Sequence, residues 1–99
     1  MPLTEREAHE LVRAHLNRLF EFQEDGVVLL EDATLRKPYG WVFFYQSRKY
    51  VELGNPADML AGNGPIVVLE ADGSIHELGT AHPTDRELRL FEQQMNLSG

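Results

Sequence analysis

The chain predicts an α+β fold: an antiparallel four-stranded sheet with an N-terminal and a C-terminal helix packed on one face. Two observations carry that prediction. Helical periodicity is confined to the two ends of the sequence. The β-compatible runs all fall between those ends. Strands clustered between terminal helices argue for an antiparallel sheet. The 99 residues fit one domain, 1–99, with room for a modest core.

The first helix is predicted over residues 5–20. Thr4-Glu5-Arg6-Glu7 has the form of a capping box, and Ala8, Leu11, Val12, Leu16 and Leu19 recur at helical spacing. A turn ending at Gly26 leads into a strand over 27–36, apolar at its start and alternating farther on. Lys37-Pro38-Tyr39-Gly40 is the turn into an aromatic strand over 41–46. In that strand Trp41, Phe43 and Tyr45 point one way and Val42 and Phe44 the other, so both of its faces are covered. Tyr50-Val51-Glu52 reads as a short strand extension, and Asn55-Pro56 as the capped start of a helical turn over 57–60. Gly62-Asn63-Gly64-Pro65 is a sharp connector into a third strand over 66–70. Asp72-Gly73 predicts a two-residue turn of the primed type before a fourth strand over 74–78. Thr84-Asp85-Arg86-Glu87 predicts a second capping box, with Leu88, Phe91 and Met95 as the buried stripe of the last helix.

Charge and composition exclude several functions. There is no cysteine, which removes disulfides, thiolate metal sites and a cysteine nucleophile, and suits a reducing compartment. The N-terminus has no basic start followed by an apolar run, and no apolar run approaches membrane-spanning length, so a cytoplasmic location is expected. The net charge is −7. A stretch holding Glu21, Glu24, Asp25, Glu31 and Asp32, and another from Tyr50 to Thr84, lack Lys and Arg; this acidity keeps the protein soluble, or it also repels phosphate backbones and steers basic partners inward. The basic pairs Arg36-Lys37 and Arg48-Lys49 are a weak nucleic-acid footprint on such a chain.

Candidate chemistry is sparse. Ser74 and His76 share one face of a strand, but strand neighbours two apart lie roughly 6–7 Å from each other, too far for a direct hydrogen bond. No Gly-x-Ser-x-Gly elbow is present. His9-Glu10 lacks the second histidine of a zinc protease, because position 13 is Arg, so His9 reads as an exposed helix residue. His15 falls at the edge of the apolar helix face, where partial burial is the ordinary outcome. His76 and His82 with Asp72 or Glu77 match no compact metal site. Gly62-Asn63-Gly64 lacks the Lys-Ser/Thr pair of a phosphate loop. Trp41, Phe43, Phe44 and Tyr45 could stack bases, but at this spacing they read as core.

Four segments in order resemble the immunity protein 35 family, also called YrhB-like: Gly40-Trp41 with the aromatics after it, Val51-Glu52-Leu53-Gly54-Asn55, Leu60-Ala61-Gly62-Asn63-Gly64-Pro65, and Asp72-Gly73-Ser74-Ile75-His76 with Leu78-Gly79-Thr80-Ala81. Proteins of this kind are encoded beside bacterial polymorphic toxins and are held to neutralise them, and one relative is described as a heat-resistant chaperone-like protein. The resemblance implies a non-enzymatic protein without cofactor or metal. Its implied partner is a cognate toxin, and the two base-free acidic stretches suit a toxin with a basic surface; nucleic acid and membrane are not implied. The alternative is a holdase for unfolded clients, which requires a sizeable exposed apolar patch. The expected partner-binding residues are Glu31, Asp32, Tyr39, Tyr50, Glu52, Asp58 and Asn63. An open strand edge would also permit a homodimer.

Overall fold

The computed structural model describes residues 3–20, 26–54, 57 and 64–97. Helix α1 spans Glu5–Leu19 and begins with the expected capping box. The Thr4 hydroxyl accepts from the Glu7 N–H at 3.2 Å, and Glu7 Oε1 accepts from the Thr4 N–H at 3.0 Å. Hydrogen bonds donated by the Thr4 N–H and by its hydroxyl hold the Glu7 carboxyl below its ordinary range. Ala8, Val12 and Leu16 form the buried stripe.

The two strands expected over 27–36 and 41–46 form one long antiparallel hairpin, broken in its middle. The breaks give β1 (Val27–Leu29), a 3₁₀ turn (Glu31–Ala33), β2 (Leu35–Lys37), β3 (Gly40–Phe43) and β4 (Tyr45–Ser47). Register explains the interruption. Leu29 pairs with Tyr45 and Leu35 with Val42, so residues 30–34 on one arm face only 43 and 44 on the other. The surplus loops out as the 3₁₀ turn, and the Leu30 N–H donates to the Phe44 carbonyl at 2.8 Å across the break.

Helix α2 (Arg48–Leu53) stands where a strand extension was expected. The Ser47 hydroxyl caps it by accepting from the Tyr50 N–H at 3.0 Å, and Gly54 ends it in the left-handed region at φ 68°. The helical turn expected over 57–60 lies outside the described residues, apart from Ala57.

Strands β5 (Ile66–Leu69) and β6 (Ile75–Glu77) form the second hairpin. Its loop has four residues, 70–73, instead of the expected two. The Leu69 N–H bonds the Ser74 carbonyl at 3.0 Å, and the Gly73 N–H bonds the Leu69 carbonyl at 2.8 Å. Gly73 sits at φ 69°, a conformation that favours glycine. Helix α3 (Thr84–Gln94) starts from Pro83 without the expected second capping box. Glu87 bonds the His82 N–H at 3.2 Å instead of returning to its own cap.

The α+β class and the four-stranded antiparallel sheet are as expected, with order β2-β3-β5-β6; β1 and β4 form a separate two-stranded ribbon. The placement of both helices on one face is corrected by the structure, because α1 and α3 cover opposite faces. Ala8, Val12 and Leu16 of α1 pack with Trp41, Phe43, Ile66 and Val68. Leu88 and Phe91 of α3 pack with Val42, Val67 and Leu69. Every residue of β3 and β5 is buried, so both sides of the central strand pair need a cover, and a single helical layer would leave Val42 and Val67 in water. The central pair also approaches closely at Gly40, where a Cβ would lie 1.9 Å from the Val68 carbonyl oxygen.

Candidate interaction surfaces

The first surface lies along α1. The 3₁₀ turn brings Glu31 against the helix, with its Oε1 3.1 Å from His9 Nε2 and 3.8 Å from Arg13. The His9–Glu31 contact is close enough for an ion pair but misaligned for a hydrogen bond. His9 also meets Phe43 edge-on at 6.1 Å, so it is a half-buried packing residue and not the exposed one expected. Beside this cluster runs a groove of about 490 Å³ with Phe43, Thr34, Arg6 and Glu5 among its lining. Asp32 stands exposed on the same turn.

The second surface lies where β6 meets α3. A groove of about 510 Å³ runs along β6, walled by Leu90, Gln94 and Met95 and reaching Phe91. At its hairpin end, Asp72 Oδ1 accepts from the Ser74 N–H at 2.9 Å and from its hydroxyl at 2.7 Å. These bonds hold the Asp72 carboxyl below its ordinary range. His76 Nε2 lies 2.9 Å from Ser74 Oγ, so the separation expected from strand pleating is corrected. Ser74 lies just outside β6, and pleat spacing does not hold its side chain. Ser74 Oγ thus lies within hydrogen-bond reach of both the Asp72 carboxylate and the His76 ring, and the imidazole tautomer decides whether the ring donates or accepts. His76 also packs on Phe91, with ring centroids 5.3 Å apart.

Among the described residues, the expected partner-binding residues come from separate elements of the fold. Glu31 and Asp32 are on the α1 side, and Tyr50 and Glu52 are on α2, which starts beyond the far end of the β1–β4 ribbon. Tyr39, half-buried at the β2–β3 turn, donates to Glu92 of α3 at 2.7 Å, and Lys37 adds an ion pair to the same oxygen at 3.7 Å. Burial first, and then Glu92, push the Tyr39 hydroxyl pKa far up. Tyr39 is thus a tie between sheet and helix. Asp58 and Asn63 lie outside the described residues.

Many surface carboxylates are paired: Glu10 with Arg6, Glu52 with Arg48, Glu70 with Arg36 and Glu77 with His15. The described residues hold 12 Asp and Glu against 9 Lys and Arg, a balance of −3. The other four carboxylates of the −7 total are Glu21, Glu24, Asp25 and Asp58. Arg36 also stacks on Trp41 at 4.6 Å, so that basic cluster is engaged within the fold. Among the described residues no three His, Asp or Glu side chains group to hold a metal ion, and no helix is long and apolar enough to cross a membrane.

Two covered sheet faces with shallow grooves on the surface make a small α+β domain. The sequence matches the family described as immunity protein 35 over residues 6–91. The chain belongs to that family. It is also 42% identical over 53 residues to the uncharacterized protein YrhB of Escherichia coli (strain K12). That match covers 54% of this chain and 56% of the relative, so it spans about half the length of each. No solved structure matches.

Proposed function

We propose that this chain is an immunity protein that binds a cognate bacterial toxin in the cytoplasm and blocks it by covering its active site or substrate groove. The family match over residues 6–91 carries this reading. The physical requirement is a stable surface of sufficient area, about 800 Å² on each partner. A net charge of −7 suits a toxin with a basic surface, because complementary charge speeds encounter. Glu31 and Asp32 at the 3₁₀ turn are proposed contact residues, together with Tyr50 and Glu52 of α2. On this reading the chain acts by contact and not by turnover, as its family membership implies.

The holdase alternative receives little support. Among the described residues the exposed large apolar side chains are Leu11 and Leu19 of α1, Leu35 of β2, Val51 and Leu53 of α2, and Leu90 with Met95 at the end of α3, so they are spread over four parts of the fold. Co-expression with the toxin encoded beside its gene tests the proposal. Rescue of growth together with co-purification supports it, and continued toxicity with no complex refutes it. The steering component fails separately if the toxin is acidic or if its capture rate is insensitive to salt.

A further inference from the structure

The register of the outer hairpin leaves one sheet edge open beside a groove. Leu69 bonds Ser74 and Leu78 bonds Pro65, which fixes the hydrogen-bonded pairs of the β5–β6 ladder as 69 with 74, 67 with 76 and 65 with 78. Alternation along an antiparallel ladder then turns the backbone N–H and C=O groups of Ile75 and Glu77 away from β5. Strand β6 is the edge of its sheet. The groove of about 510 Å³ follows that same edge and falls inside the ~300–1,000 Å³ range of pockets that accept ligands. Its far wall is α3, where Leu90 and Met95 are 43% and 41% exposed. Among the described residues its lining carries Glu77, which also lies 3.7 Å from His15, together with Glu87 and His76, and no Lys or Arg.

We propose that this groove is the docking site for an extended segment of the protein partner, added as a further strand to β6, with alternating apolar and basic side chains. The proposal deepens the immunity reading and rests on it for the identity of the partner. The outward amide and carbonyl groups of Ile75 and Glu77 supply the main-chain bonds. Side chains of the added strand on the α3 face drop against Leu90, Phe91 and Met95, and the intervening ones, on the α1 face, reach Glu77. Charge complementarity selects a basic segment over an acidic one.

The test uses the full chain and two capped peptides, acetyl-(Lys-Val)₄-amide and acetyl-(Glu-Val)₄-amide, with amide hydrogen exchange and titration by NMR. The basic peptide is expected to slow exchange at the Ile75 and Glu77 amides and to bind about tenfold or more tightly than the acidic one. Leu90→Ser, at an exposed position, weakens the basic peptide by a similar factor while the protein stays folded. Glu77→Pro removes an outward amide without removing a bond to β5, and it abolishes the protection; a melting curve confirms that each variant folds. Unchanged exchange at both amides, or equal affinity for the two peptides, overturns the proposal. So does concentration-dependent protection without peptide that Leu90→Ser removes, since that result assigns the edge to a second copy of the chain. The peptide experiment contains no toxin, so it can fail while rescue and co-purification succeed, and the reverse also holds.

Discussion

Gly40→Ala tests the close packing of the two central strands. Gly40 pairs with Leu69, and a Cβ there would lie 1.9 Å from the Val68 carbonyl oxygen and 3.0 Å from its carbon. Ordinary contact begins near 3.4 Å, so β3 and β5 must part locally by roughly 1.5 Å. The obstacle is backbone within a ladder spaced at about 4.8 Å, and no flexible side chain can give way. Overpacking of a tight site costs about 1–3 kcal/mol, and loss of a ladder bond adds about 1 kcal/mol. The sum, about 3 kcal/mol, is a large share of the ~5–15 kcal/mol that stabilises a domain of this size. It lowers the melting temperature by roughly 10–20 °C. Thermal unfolding followed by circular dichroism reads this directly. Gly73→Ala is the comparison: its Cβ meets only side chains at 3.4 Å or beyond, so the cost is the left-handed backbone alone, about 1 kcal/mol. If Gly40→Ala melts within about 2 °C of the unmodified chain, the strand packing described here is wrong.

Further outcomes follow from the same geometry. Thr4→Ala removes the α1 cap and costs about 1 kcal/mol by chemical denaturation. Glu7 and Asp72 have lowered carboxyl pKa values in the folded chain, so their stabilisation is present above the ordinary carboxylate range and is lost as pH falls through the folded values. Acid titration of Thr4→Ala should accordingly show a shallower loss than the unmodified chain. Tyr39→Phe costs about 2 kcal/mol at neutral pH by removing a hydrogen bond to a largely buried carboxylate. The raised Tyr39 pKa gives stabilisation that is complete below the ordinary tyrosine value and declines as pH rises above it; Tyr39→Phe flattens that alkaline decline in a denaturation series. Phe91→Ala empties the core between α3 and the sheet and costs about 3–5 kcal/mol by the same measurement.

Much of the architecture was legible where local and long-range signals agree. The Thr4 capping box and the Ala8, Val12, Leu16 stripe identified α1, and β5 read as a strand from four consecutive apolar residues. The opposed helices were also written in the sequence. An aromatic strand apolar on both faces requires a cover on each side, and only two long helices were available. Helix α2 carried a readable signal too, since Ser47 and Gly54 bracket it as cap and terminator. Tyr50 and Val51, both β-favouring, masked that signal. The 3₁₀ turn was not legible, because it arises from a mismatch in strand register that no local pattern encodes. The Asp72-Ser74-His76 chain was missed because pleat spacing was applied to a residue outside the strand. As for the interaction surface, sequence marks charge but not pairing, and Glu31 is revealed as a partner of His9 and Arg13 only once α1 is folded against the turn.

The central claim is that the protein neutralises by occupying its target. Titrating a fixed amount of purified toxin with this protein, while following the toxin's own activity, tests it most directly. The account predicts a linear fall to an end point at equimolar protein, with the complex intact afterwards. Loss of activity at far less than equimolar protein, or full toxin activity in the presence of excess, would contradict it.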